Sequence, residues 1–559
     1  MEALNLIAKP VPPRETAQVR FTNGKGAFEA PLGTILEEYV RAAYPDRWRM
    51  IVGAVIDGKL RELTLPIRSD CSVEPIDVSS RDGMRIYRRS LTFLLEAAFK
   101  ELFPAVTITI DHSVSSGGYY CEVIGRRPLS ARELEKLEKR MREIVAADLP
   151  LIRQKIPLPE AIAYFQSKGE EDKVRLLAYR RKDYLTVYQL GKFWDYHHGY
   201  MVPTTGYVRW FSLTPTGDGF TLRFPRRHRP TELLPLPELP KLLATFRQYG
   251  DWLDRLGISN TGALNDAIHE NRTQEIILVS EALHEQQIAD IADQVLARLD
   301  TARLVVIAGP SSSGKTTFSK RLAIQLLAHG ISPFAFEMDN YFVDREKTPR
   351  DEKGNYDFES LKAIDRQQMV NDLQRLITGE RVQLPRFDFI SGRQGIGDVA
   401  QLHPNQIILL EGIHGLNPEL LPEIPAEHTF RIYVSALTQL NLDHQNRVST
   451  TDTRLLRRIV RDARERGYTA QETIQRWESV RRGEKRYIFP FQENADVLFN
   501  SALVYELSAL KPLAEPLLRQ VPFGKPGYVE AKRVLAFLEW FLPLESDLVP
   551  DNSILRVHP

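Results

Sequence analysis

The chain has 559 residues, too many for one hydrophobic core, and at roughly 150 residues per domain it divides into three or four. Its composition, 43% hydrophobic and 26% charged with a net charge of +1, is that of a soluble globular protein and argues against a polyanionic partner for the chain as a whole. The two cysteines, Cys71 and Cys121, argue against a disulfide framework or a metal cluster; no run approaches ~18 apolar residues and the first ten residues do not read as a secretion signal, so a cytoplasmic protein without a membrane span is expected.

Residues 1–78 alternate short strands with one helical stretch. Val19, Arg20 and Phe21 run into an Asn23-Gly24 turn signal, which predicts a hairpin. Residues 34–43 read as a helix with Thr34 as its N-cap and Glu37 three residues on. Residues 51–56, Asp57-Gly58 and 59–63 predict a second hairpin, giving a small α+β module. Residues 79–225 open with an amphipathic helix over 87–102, followed by strands at 106–110 and 119–124, a charged helix over 131–146 and a β-rich stretch over 206–224. A stretch rich in proline and arginine, 225–240, reads as an exposed linker. Residues 226–300 are then linker and helix, 301–515 alternate strand and helix as a parallel sheet flanked by helices requires, and 516–559 form a C-terminal helical extension.

The most informative segment is Gly309-Pro310-Ser311-Ser312-Ser313-Gly314-Lys315-Thr316-Thr317, preceded by five apolar residues, 304–308, and followed by a helical stretch over 318–327. This is the phosphate-loop pattern between a strand and a helix. Its glycines let backbone N–H groups turn inward around phosphate oxygens, and the helix N-terminus adds partial positive charge. Lys315 is placed to reach β- and γ-phosphates, and the Thr316 hydroxyl to ligate Mg²⁺. The bland alternative, a chance Gly/Ser turn, does not explain the flanking strand and helix.

Two acids follow apolar runs downstream. Asp339 ends the run 334–338 and is a candidate base for a substrate hydroxyl. Glu411 ends the run 407–410, where a carboxylate would hold Mg²⁺. Either acid alone could be a helix cap or a surface charge; the pair favours a site. Residues 447–486 hold twelve Lys/Arg against six Asp/Glu, and Arg454, Arg457, Arg458 and Arg461 recur at helical spacing. A solvated helix face is one reading. A lid that clamps phosphate is favoured, because a cationic stripe needs a facing anion.

With these residues in place, 303–515 resembles the uridine kinase and phosphoribulokinase family. The carriers are the phosphate loop, Met338-Asp339-Asn340-Tyr341-Phe342, Asn355-Tyr356-Asp357-Phe358, Pro385-Arg386-Phe387-Asp388-Phe389, Glu411-Gly412-Ile413 and the arginine helix. The resemblance implies ATP and Mg²⁺ as cofactors, Asp339 as general base, Asp357 as the acid on ribose hydroxyls, and Arg458, Arg461 and Arg466 as lid residues. The family's pyrimidine-facing Tyr and His are missing: Phe387 stands at the Tyr position and 389–393 holds no His, which puts uracil recognition in doubt.

The N-terminal half resembles other proteins. Residues 17–78 are similar to the TGS domain, a β-grasp-like module, through Gly33-Thr34-Ile35-Leu36 and the stretch 52–60. Through the helix over 87–102, Phe103-Pro104 and Val202-Pro203-Thr204-Thr205-Gly206-Tyr207, residues 80–225 resemble the second domain of threonyl-tRNA synthetase, which hydrolyses mischarged tRNA. That family's His-x-x-x-His and Cys-x-x-x-His positions fall here on Arg89, Phe93, His197 and Met201, so metal binding and editing are not expected, and His197 and His198 read as polar surface or packing residues. The full arrangement resembles a bacterial group of TGS-containing nucleoside kinases. The expected activity is ATP- and Mg²⁺-dependent phosphorylation of a nucleoside or related ribosyl hydroxyl. The alternatives are a sugar-phosphate kinase, or an ATP-dependent protein that docks on RNA or the ribosome. RNA binding, small-molecule sensing and holding the kinase in a dimer all stay open for the N-terminal half.

Overall fold

The computed structural model describes residues 13–114, 117–351, 354, 356–388, 391–438 and 440–556. The reading of the first ten residues, and Asn355 and Phe389, lie outside the described residues. The chain forms two compact units, the first from residues 13–164, 182–236 and 523–525, the second from 165–181, 237–522 and 526–556.

The first unit begins with β1 (Thr16–Phe21), β2 (Gly26–Pro31), α1 (Leu36–Ala43), β3 (Ile51–Ile56), β4 (Lys59–Arg61) and β5 (Cys71–Asp77), in a sheet ordered β2-β1-β5-β3-β4. Both expected hairpins form, and β1 lies parallel to β5. Period-two alternation buries Ala17, Val19 and Phe21 of β1 in one core with Leu36, Tyr39 and Val40 of α1. Thr34 is not the cap of α1. Ile35 takes that position with no side-chain bond, and the Thr34 hydroxyl donates back to the Pro31 carbonyl at 2.8 Å, closing the preceding turn instead.

The chain continues through α2 (Arg81–Leu102), β6 (Thr107–Val114), β7 (Gly118–Ile124), α3 (Ala131–Ala146), β8 (Ile152–Pro157), α4 (Leu158–Lys168), α5 (Glu171–Ala178), β9 (Tyr184–Leu190), β10 (Phe193–Asp195), β11 (Ser212–Thr216) and β12 (Gly219–Arg223). Strands pair antiparallel in the orders β11-β12-β7-β6 and β10-β9-β8. Helix α2 starts six residues before its apolar periodicity does, because the Ser80 side chain caps it by accepting from the Gly83 N–H. Helix α3 has the expected bounds, fixed by a Ser130/Glu133 capping box.

The second unit contains α5, given above, and α6 (Pro240–Leu256), α7 (Thr261–His269), α8 (Thr273–Leu296), β13 (Leu304–Ala308), α9 (Lys315–Ala328), β14 (Ser332–Glu337), α10 (Arg366–Ile377), β15 (Val382–Asp388), β16 (Arg393–Ala400), β17 (Gln406–Glu411), β18 (Thr429–Ser435), α11 (Thr450–Glu465), α12 (Ala470–Tyr487), β19 (Val497–Asn500), α13 (Glu506–Arg519) and α14 (Tyr528–Leu538). Its central sheet is parallel throughout, ordered β14-β17-β13-β18-β19. Every residue of β13 is buried, as a strand covered on both faces requires. Val305 and Ile307 pack with Ile288 and Ile291 of α8 and Phe318 and Leu322 of α9, while Leu304 and Val306 pack with Phe336 and with Met369 and Leu373 of α10. Strand β15 pairs with β16 as a separate two-stranded ribbon.

Candidate active site

The loop after β13 has the backbone its glycines imply. Gly309 has φ 157°, and a Cβ there would lie 2.0 Å from the Val434 carbonyl, so no other residue fits. Gly314 has φ 87° and leads straight into Lys315, the first residue of α9, which starts three residues earlier than its apolar pattern. The hydroxyls of Ser312 and Ser313 are buried without a partner among the described residues, and the first N–H groups of α9 open toward the same cradle. Lys315 Nζ reaches the Pro310 carbonyl at 3.4 Å, and Thr317 follows Thr316 in the first turn. Burial pushes the Lys315 ammonium below its ordinary pKa, against the pull of Glu411 and Asp339.

Both acids stand at carboxyl ends of neighbouring strands. Glu337 of β14 pairs in register with Glu411 of β17, and β17 adjoins β13. Gly412 lets the chain pass tightly over the Met338 side chain, where a Cβ would meet sulfur at 2.6 Å. This packing sets Asp339 beside Glu411 at the end of the sheet where ligands bind in open α/β folds. The Thr316 hydroxyl donates to Glu411 Oε1 at 2.9 Å. Surrounding protein raises the Asp339 carboxyl, offset by Lys315, Arg466 and Arg461. Burial likewise raises Glu411, with Lys315 opposing. The set is a hydroxyl and carboxylates, hard oxygen donors that suit Mg²⁺ together with phosphate oxygens.

Helix α11 divides the arginine stripe, which corrects the expectation of one continuous lid. Arg454 and Arg457 are buried structural residues: Arg454 pairs with Glu484 of α12 and Arg457 with Glu506 of α13. Arg454 also donates twice to the Ser311 carbonyl, at 2.9 and 2.8 Å, and so braces the phosphate loop from behind. Burial alone would raise the Glu484 carboxyl, but Arg454 and Arg481 hold it below the ordinary range. Arg458 points at the loop and donates to Ser311 Oγ at 2.8 Å. Arg458, Arg461 and Arg466 gather around the buried Asp462 at 3.2, 2.8 and 3.8 Å, three guanidinium groups on one carboxylate.

The Tyr487 hydroxyl of α12 faces Asp357 Oδ2 at 3.5 Å. Phe387 is 8% exposed and tilts against Phe342 in the layer beneath β14 and β17. Glu359 escaped the sequence reading. Its stem lies on the backbone of Gly483, where a Cβ would approach to 2.1 Å. Burial, with Glu484 nearby, raises its carboxyl to about 7, against Arg458 and Lys315. Gly483 was the available signal, since a glycine inside a helix marks a close approach. His414 is fully buried beside Tyr487, and burial lowers it to about 4, so it is neutral.

In the first unit, the four positions compared with an editing site do converge, but as a packed cluster. Phe93 and Met201 are buried, and the Phe93 ring meets His197 edge-on at 5.7 Å. His197 is buried rather than on the surface, with Nε2 2.9 Å from Glu96. Arg89 bonds the Tyr200 carbonyl at 2.6 Å and fills the space over Gly199. Among the described residues no three His, Cys, Asp or Glu side chains are arranged to hold a metal ion, and no helix is long and apolar enough to cross a membrane.

A parallel sheet with a glycine-bounded loop after its central strand defines a phosphate-loop fold. Residues 304–508 match the model of the Phosphoribulokinase / Uridine kinase family. The N-terminal region is similar to threonine–tRNA ligases: 36% identical over 170 residues to that of Polaromonas naphthalenivorans and 32% over 193 residues to that of Symbiobacterium thermophilum. These matches cover 30% and 34% of this chain and only 27% and 30% of the ligases. Among solved structures, a possible uridine kinase from Bacillus stearothermophilus is 20% identical with a TM-score of 0.28, covering 38% of this chain and 98% of that one. The chain therefore joins a threonine–tRNA ligase-like region to a kinase-family region.

Proposed function

We propose that the protein is an ATP-dependent kinase that phosphorylates a hydroxyl of a nucleoside or related ribosyl compound. The observation that carries this is the convergence of Lys315 and Thr316 with Asp339 and Glu411 at the ends of adjacent parallel strands. Gly309, Ser311, Ser312, Ser313, Gly314, Lys315, Thr316 and Thr317 would cradle the triphosphate. Thr316 and Glu411 would hold Mg²⁺, which when bound neutralises charge on the phosphate oxygens. Asp339 takes the proton of the acceptor hydroxyl as its oxygen attacks the γ-phosphorus and the bond to the bridging oxygen breaks, releasing ADP. A carboxyl raised above its ordinary value is a better base for this step. Arg458, Arg461 and Arg466 oppose the charge spread over the transferring group. Asp357 and Phe387 belong to acceptor binding. A cytoplasmic setting fits this chemistry.

Likeness to threonine–tRNA ligases supports a second reading, in which ATP binding controls docking of the first unit on RNA. A binding switch has no need of Asp339 as a base, so one experiment separates the two. ATP consumption is measured across ribonucleosides and sugar phosphates for the native protein, Lys315→Ala and Asp339→Asn. Lys315→Ala is expected to abolish turnover and weaken ATP binding. Asp339→Asn is expected to lower kcat by roughly 10²–10⁴ with ATP affinity nearly unchanged. Parallel loss of ATP binding in Asp339→Asn would reassign Asp339 to the metal shell. Native-like turnover in Lys315→Ala would remove the loop from the mechanism.

A further inference from the structure

Glu359 presents an acid whose role the phosphate-transfer chemistry does not use. Its Oε2 is buried and has no hydrogen-bond partner among the described residues, and no Lys or Arg lies within ion-pair distance of it there. Glu484 nearby cannot share a cation with it, because Arg454 and Arg481 are both committed to that carboxylate. A buried carboxylate oxygen left unpaired is costly, and beside the phosphate-loop residues it marks where a ligand donor belongs.

The position of that donor follows from α12. Gly483 and Tyr487 are four residues apart, on one face of the helix. Glu359 lies on Gly483, and Asp357 receives the Tyr487 hydroxyl. The two acids therefore stand side by side along α12, about one helical turn apart. Glu359 also feels the charges of Lys315, Asp339 and Arg458, which sets it at the junction of the phosphate loop and the base.

We propose that Glu359 is an acceptor-recognition residue: with Asp357 it forms a two-carboxylate face that hydrogen-bonds donor groups of an uncharged polyhydroxylated acceptor and turns away acceptors that already carry a phosphate. This rests on the kinase reading above and narrows its substrate class. Asp339 and Asp357 put negative charge on the acceptor side and Glu359 adds to it as it ionises near pH 7, so a second phosphate there meets like charge, which discriminates more sharply than shape. The glycine at 483 fits the same logic. Any larger residue would push Glu359 off the helix and out of register with Asp357.

The test measures KM and kcat for ATP, for each of the four ribonucleosides and for ribulose 5-phosphate, in the native protein, Glu359→Gln and Glu359→Arg. Glu359→Gln keeps the shape of the side chain, and a thermal melt checks folding. The native protein is expected to favour a ribonucleoside over ribulose 5-phosphate by at least about 100-fold in kcat/KM. Glu359→Gln is expected to raise the nucleoside KM about 10-fold or more while ATP KM changes less than about two-fold. Glu359→Arg is expected to narrow the preference against the sugar phosphate by about 10-fold or more. A native preference for ribulose 5-phosphate overturns the proposal and leaves the kinase reading standing. So does an unchanged nucleoside KM in Glu359→Gln, or equal effects on ATP and nucleoside. Phosphoryl transfer to none of these acceptors overturns both.

Discussion

At the scale of single residues, the candidate site is a contest between burial and charge. Lys315 is pushed down and Asp339, Glu359 and Glu411 are pushed up by loss of solvent; the acids partly restore Lys315 and Lys315 partly restores each of them, while Asp339 pushes Glu359 and Glu411 further up. This has a stability consequence with a definite sign. A carboxyl whose folded pKa is raised keeps its proton in the native state after the unfolded chain has released it. For Glu359 the window runs from its ordinary 4.5 to about 7, and stability falls as pH rises through it. Asp339 and Glu411 act in the same direction. Thermal melts of native protein and Glu359→Gln from pH 4.5 to 7.5 should show the native protein losing ground to the variant, on the order of 2 kcal/mol across the window, with no further change above it. A constant difference between the two would mean that the Glu359 carboxyl titrates normally.

At the scale of elements, α11 shows what spacing reveals and what it hides. The sequence displays four arginines at helical intervals with few acids between them, and that much is a correct view of one face. It does not display depth. The partners of Arg454 and Arg457 come from 30 and 49 residues downstream, on helices that only the folded chain brings near. Strands β13 and β17 were legible because burial on both faces writes continuous apolar runs, the edge strand β14 because it keeps the short apolar run 334–336 although only Phe336 is buried, and the phosphate loop because its glycines are forced by backbone geometry. The starts of α2 and α9 were not legible, because polar and glycine residues in a first turn carry no apolar period. The division of the stripe can be measured. Arg454→Ala leaves Glu484 with one buried counter-charge fewer and is expected to destabilise by about 3–5 kcal/mol. Arg461→Ala removes a partly exposed member of a three-cation cluster and is expected to cost below about 1 kcal/mol of stability but about 10²-fold or more in kcat. Urea melts and steady-state rates of both variants decide it. Equal stability losses would return Arg461 to the structural set.

At the scale of the whole molecule, the two units treat their candidate centres differently: in the second, the Ser312 and Ser313 hydroxyls and Glu359 Oε2 are buried without a partner among the described residues. In the first unit the positions that would form an editing centre are closed by their own side chains: Phe93 and Met201 fill the floor, Arg89 is fixed on the Tyr200 carbonyl, and His197 is spent on Glu96. The one imidazole left could offer a metal a single ligand, and its ring nitrogen is already engaged. Zinc needs three or four such ligands held in a tetrahedron. Purified protein is therefore expected to contain no stoichiometric zinc by elemental analysis and to leave mischarged threonyl-type tRNA intact. His197→Ala should act as a core mutation, leaving the Glu96 carboxylate short of a partner and costing about 1–3 kcal/mol in a melt without altering phosphoryl transfer. Stoichiometric zinc that disappears in His197→Ala would show that the cluster opens in solution and that the first unit keeps a metal site of its own.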